Sequence, residues 1–176
     1  MKAKLCFFTL LFIGAIFTSC KKSDINYEIN FEKSYKEWLR LKETSVNSYR
    51  YVVSNGSWTG MGWQTTITVR EGKVVQRDFK LSFPVGWTGS IPGADKMEWT
   101  ENENEINSHE DTPAGEAITL DAVYEKARNN WLKKRGNGKT YFEAKNNGLI
   151  SSCGYVEGGC QDDCFIGITI TSIESL

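Results

Sequence analysis

Three cysteines within twelve residues, in the stretch CGYVEGGCQDDC from Cys153 to Cys164, form the densest group of reactive side chains in the chain. In an oxidising compartment a thiol pair closes to a disulfide, while three thiolates and a carboxylate can enclose zinc tetrahedrally. The spacing here lacks the close C-x2-C pair of common zinc sites, so a structural bridge is expected. A bond between Cys153 and Cys164 would close the neck of a hairpin and stabilise it by about 3 kcal/mol before strain. Cys160 is able to pair with either neighbour, and one thiol is left over in every scheme. No C-x-x-C stands at a helix start, where a dipole would lower a thiol pKa. Glu157, Asp162 and Asp163 offer oxygen ligands without the alternating spacing of a calcium loop. Neither a metal nor a cofactor is expected.

The other candidates lie further upstream. His109 is the only histidine, set in a polar stretch beside Glu110 and Asp111. A Ser-His-Asp relay would need partners on both ring nitrogens, which an isolated loop histidine does not advertise. Glu101, Glu103 and Glu105 read as a solvated face rather than as an acid-base dyad. No catalytic residue is assigned. Trp58, Trp63, Trp87 and Trp99 fall in or beside two glycine-rich stretches, GSWTGMGW and VGWTGSIPGADKMEW, which share the triplet Trp-Thr-Gly. Flat rings beside flexible backbone offer apolar area and an N–H, as a groove for a glycan or a peptide does. These four are the ligand-binding candidates; the competing reading folds them back over a sheet as core.

What delivers these residues to their compartment is the N-terminus. Lys2 and Lys4 precede an uncharged run from Leu5 to Phe17, and Thr18-Ser19 lead into Cys20. Thirteen residues are too few to cross a hydrocarbon core that needs ~20 as a helix, so the run reads as a cleaved signal. It resembles the bacterial lipoprotein signal, which implies cleavage before Cys20 and lipidation of that cysteine. Two or three acyl chains make a lasting anchor where one is reversible. Residues 20–30 then read as lipidated cysteine and polar tether, with a domain from Phe31 to the end. Lys21 rather than Asp after the cysteine implies, by resemblance to enterobacterial sorting, the outer membrane.

Removing residues 1–19 removes two lysines and no acid, leaving 19 basic against 22 acidic side chains. With the signs evenly mixed, nothing marks a nucleic-acid partner. Six tryptophans, seven tyrosines and nine phenylalanines supply bulk for one core, and three prolines argue against disorder.

Two helices and about six strands must position the candidates. FEKSYKEWLRLKET, from Phe31 with Asn30 at the cap, places Phe31, Tyr35, Trp38 and Leu39 on one stripe. Ser48 to Asn55 alternates as a half-buried strand. Thr66 to Arg70 and Val74 to Phe83 flank Glu71-Gly72 as a tight hairpin. TENENEINSHEDTPAGEA reads as a long exposed loop. Thr119 caps a second helix, LDAVYEKARNNWLKK, whose end charges suit the macrodipole. Short strands follow at Thr140 to Lys145, Gly148 to Tyr155 and Phe165 to Ile173. The order α-β-β-β-α-β-β-β gives an α+β fold in which two helices pack on one face of an antiparallel sheet, with room for an internal duplication.

This order of features resembles a family of small, mostly bacterial, often secreted or lipid-anchored proteins known as domain of unknown function 6174. The resemblance is carried by Trp38 before a Tyr49-x-Tyr51 strand, the Thr68 to Val75 hairpin, the Thr119-x-Asp121-x-x-Tyr124 helix start and a final strand-turn-strand. It covers Phe31 to Ile173 and implies fold and localisation but no activity. The functional expectation is a non-catalytic, lipid-anchored envelope domain that binds a protein or glycan through its Gly-Trp loops. The alternatives are an envelope hydrolase built on carboxylates and the cysteine loop, and a structural envelope protein.

Overall fold

The computed structural model describes residues 24–109, 111–161 and 164–176. Residues 1–23, on which the expected signal sequence and Cys20 fall, lie outside the described residues, as do Glu110, Asp162 and Asp163. Among the described residues, no helix is long and apolar enough to cross a membrane.

The first helix, α1, runs Glu28–Thr44 and buries Phe31, Ser34 and Trp38 at three- and four-residue steps. It starts earlier than its aromatic stripe suggests. Tyr27 precedes it in the left-handed region and no side chain caps it, so Asn30 lies inside the helix. Leu39, expected on the inner stripe, is exposed. The segment before α1 is docked rather than free. Ile25 bridges to Lys133, the Asn26 N–H donates to Leu132 O at 2.7 Å, and the Asn26 amide donates to Thr140 Oγ1 at 2.8 Å. The Lys134 N–H also donates to Asp24 O at 3.1 Å. Residues 24–30, expected to belong to the tether, are therefore part of the folded domain.

Among the described residues, seven strands form one antiparallel sheet: β1 (Tyr49–Gly56), β2 (Gly62–Arg70), β3 (Lys73–Ser82), β4 (Glu98–Asn102), β5 (Gly138–Glu143), β6 (Ser152–Glu157) and β7 (Ile166–Ser175). Their order across the sheet is β4-β3-β2-β1-β7-β6-β5. The expected hairpin at Glu71-Gly72 is present, with both residues at positive φ as a tight two-residue turn requires. The strand absent from the expectation is β4. EWTEN is acidic by composition, yet it pairs with β3 and turns Trp99 and Glu101 inward. A short helix, α2 (Ala94–Met97), leads into it. The second expected helix is α3 (Leu120–Lys126), which continues as a π turn over Ala127–Trp131. Thr119 caps it by accepting from the Ala122 N–H. β1 lies at the sheet centre and β5 at its edge, so the two helix-plus-three-strand runs do not occupy equivalent places.

One face of the sheet is buried. Tyr49, Tyr51 and Val53 of β1 stand in register with Val69, Ile67 and Thr65 of β2, and this row continues to Arg77 and Phe79 of β3. Helices α1 and α3 cover it from the centre towards β5. Buried tyrosines tie the layers together: the Leu120 N–H donates to Tyr49 Oη at 2.8 Å, and Tyr124 Oη lies 2.8 Å from Ser34 Oγ. Each of these hydroxyls would be costly to bury without its partner.

Two features of the sheet position the loops. β7 pairs with β1 over its second half and with β6 over its first, so β1 and β7 part beyond Val53 and Ile170. Strand directions also bring the β1–β2, β3–β4 and β6–β7 connections, together with the α3–β5 connection, to a single end of the sheet.

Candidate functional site

At the β3–β4 edge the inward row carries a charge pair. Arg77 stands opposite Glu101 in register, and its Nε and Nη2 each donate to a Glu101 oxygen at 2.8 Å. Glu101 is wholly buried and Arg77 nearly so. The carboxylate also accepts from the backbone N–H of His109 at 2.8 Å and of Asn107 at 2.9 Å, and Ser108 Oγ donates to it at 3.3 Å. The segment after β4 is thereby wrapped around one carboxylate. Desolvation pushes the Glu101 pKa up, but Arg77, the two backbone N–H groups and the His109 ring outweigh it and hold it at about 2. Glu101 is thus a fixed anion rather than a solvated face or a proton carrier. Glu103 and Glu105 lie on the exposed side of the following 3-10 turn.

His109 stacks on Trp99 with ring centroids 4.3 Å apart and planes 5° from parallel. Its Nδ1 lies 3.1 Å from Glu101 Oε1 and 3.1 Å from Ser108 Oγ. A catalytic relay requires the base to reach its nucleophile with one ring nitrogen and its orienting carboxylate with the other. Here the hydroxyl and the carboxylate share Nδ1, so Ser108, His109 and Glu101 do not form that relay. The ring borders an open groove of about 640 Å³ lined by Phe79, Leu81, Asp95, Lys96, Asp111 and Pro113.

The four tryptophan candidates separate. Trp99 is a core residue of β4, 5.2 Å from Phe79 and covered by His109 and the Arg77 guanidinium. Trp63 belongs to β2 and packs against the main core. Trp87 folds onto Phe83 and is half-buried; a Cβ at Gly89 would sit 2.5 Å from its ring, which explains the glycine two residues on. Trp58 alone stands out, 85 % exposed at the tip of the β1–β2 loop. Val85 and Ile91 of the β3–β4 connection are likewise exposed at this end. Between the loops runs a groove of about 470 Å³, lined by Asn55, Ser57, Met61, Trp63, Pro113 and Phe165. A narrower cleft of about 130 Å³ fills the parting of β1 and β7, with Val53, Trp131 and Ile168 on its walls.

The cysteine pairing differs from the preferred expectation. The disulfide joins Cys160 to Cys164, with Cα atoms 6.1 Å apart, while Cys153 is free and buried. Cys153 stands on the inner face of β6 between Phe142 and Ile168, turned away from the loop that carries the other two. Alternation along the strand puts it in the core, where burial pushes its thiol well above the ordinary range. Among the described residues, no group of three His, Cys, Asp or Glu side chains is placed to hold a metal ion. Glu157 is exposed at the end of β6.

The Arg77–Glu101 pair was the feature that sequence reasoning missed. Its signal was the alternation Arg77-x-Phe79 against Trp99-x-Glu101, two short inward patterns that become visible once EWTEN is taken as a strand. No family model, curated protein or solved structure matches this chain.

Proposed function

We propose that this chain is a lipid-anchored envelope domain that binds rather than catalyses, and that it meets its partner with the loop-bearing end of the sheet. The observation that carries the reading is the exposure of Trp58, and of Val85 and Ile91, on connections that leave the same end of the sheet. Scattered apolar side chains are ordinary on a surface, but a tryptophan at a loop tip, at the same end of the sheet as two further exposed aliphatic side chains, is an interaction feature. The aliphatic pair suits an apolar or amphipathic partner better than a sugar. The anchor part rests on the residues before Cys20 and on the resemblance to domain of unknown function 6174, whose members are often secreted or lipid-anchored.

The hydrolase reading has its strongest support in His109 and its open groove. It is weakened by the sharing of Nδ1 between Ser108 and Glu101, and by the use of Glu101 as counter-ion to Arg77.

A photo-crosslinking amino acid in place of Trp58, in the intact envelope, tests the binding surface. Adducts are expected at position 58 and not at position 40 on the outer side of α1. Equal yields at the two positions would remove the loop end as the contact surface.

A further inference from the structure

The chain enters its domain at the same end that bears the exposed loops. Asp24 is bonded to Lys134 in the connection that leads from α3 to the start of β5, and β5 begins at that end. From Cys20 to Asp24 is four residue steps, at most ~14 Å of extended chain. A domain held this closely has no room to stand clear of the surface that holds Cys20, and the part of it nearest that surface is the end where the chain enters.

We propose that this end of the sheet rests on the bilayer itself: Trp58, Val85 and Ile91 enter the headgroup region, and the basic corner at β5 lies against lipid phosphates. The inference rests on the anchor reading above and names the partner of the same surface. Three properties fit a lipid interface. Trp58, Val85 and Ile91 are 85 %, 106 % and 59 % exposed and belong to two different loops, so they project as separate points and do not line one pocket. A tryptophan with an apolar ring and a polar N–H prefers the headgroup level. The corner where the chain enters carries Lys133, Lys134, Arg135 and Lys139 against Asp24, Glu28 and Glu157 among the described residues, a small cationic excess of the sign that anionic phosphates attract. A protein partner would instead call for one continuous apolar patch with a filled centre.

The test uses the full chain, processed and lipidated in a bacterial host, in vesicles of phosphatidylethanolamine and phosphatidylglycerol with and without bromine on the acyl chains. Flotation with the vesicles reports the anchor. Bromine is expected to quench tryptophan emission, and the quench should fall by at least half in Trp58→Phe, whose exposed site leaves the circular dichroism unchanged. If the chain floats and bromine quenches wild type and Trp58→Phe alike, the docking proposal is overturned while the anchor stands. If Trp58 is shielded from aqueous iodide without being quenched by bromine, the surface is covered by protein, such as a second copy, and the lipid assignment falls. A chain that does not float removes the anchor and the docking together.

Discussion

Arg77 and Glu101 face each other across β3 and β4 through two N–H···O contacts of 2.8 Å, and neither reaches solvent appreciably. A bidentate guanidinium–carboxylate pair is the geometry in which burial of two charges is best compensated. The same carboxylate receives the backbone of residues 107 and 109, so one ion pair joins a sheet edge to the segment that covers it.

Removing one partner strands the other in the interior. Arg77→Ala and Glu101→Ala should each destabilise the domain by about 3–5 kcal/mol in urea unfolding. The double variant Arg77→Met/Glu101→Leu should recover only part of this, because the N–H groups of Asn107 and His109 still lose their acceptor. Full recovery would mean that the backbone contacts contribute nothing.

The pH dependence follows from the same site. The folded pKa of Glu101 is about 2 against an ordinary 4.5. A depressed carboxylate contributes stability that is fully present above the ordinary value and is lost as pH falls from about 4.5 towards 2. The loss should be about 2 kcal/mol, allowing for the solvent that reaches the adjoining segment. Glu101→Gln should be less stable at neutral pH and flatter over this acid range. Parallel acid limbs in wild type and variant would locate the titration elsewhere.

The sheet hairpin at Glu71-Gly72, the Thr119 cap and the inward faces of α1 and α3 were legible because each is a local pattern: a turn dipeptide, a cap, a period of three or four. β4 was not. Five residues with two glutamates read as solvent-facing until a neighbouring strand supplies Arg77, and that neighbour is about twenty residues away in the chain. Trp99 followed β4 into the core for the same reason. The docking of Asn26 depends on Leu132 and Thr140, over a hundred residues distant, and nothing local announces it. Cys153 was within reach of the sequence: SCGYVE alternates, and alternation places Cys153 and Tyr155 on one face.

The thiols should separate by environment. In a chain processed at Cys20, native protein without reductant should show no thiol reactive towards maleimide at pH 8, and urea should release one, Cys153. Mild reduction of the native protein should expose two more from Cys160 and Cys164. Because their bond closes a loop of only five residues, Cys160→Ser/Cys164→Ser should cost about 2 kcal/mol at most. Labelling of Cys153 in the native state would contradict its placement inside β6.

The tryptophans give the sharpest separation of fold from function. Trp99 fills the space between Phe79, Arg77 and His109, so Trp99→Ala removes a core ring and should lower stability by about 3–5 kcal/mol. The same change releases the ring against which His109 stacks, so the histidine resonances should shift along with the unfolding midpoint. Trp58→Ala leaves no cavity and should stay within about 0.5 kcal/mol of wild type. Any effect it has on association is then free of a folding contribution. A large loss of stability in Trp58→Ala would return that residue to the core and remove the exposed loop end on which the binding reading depends.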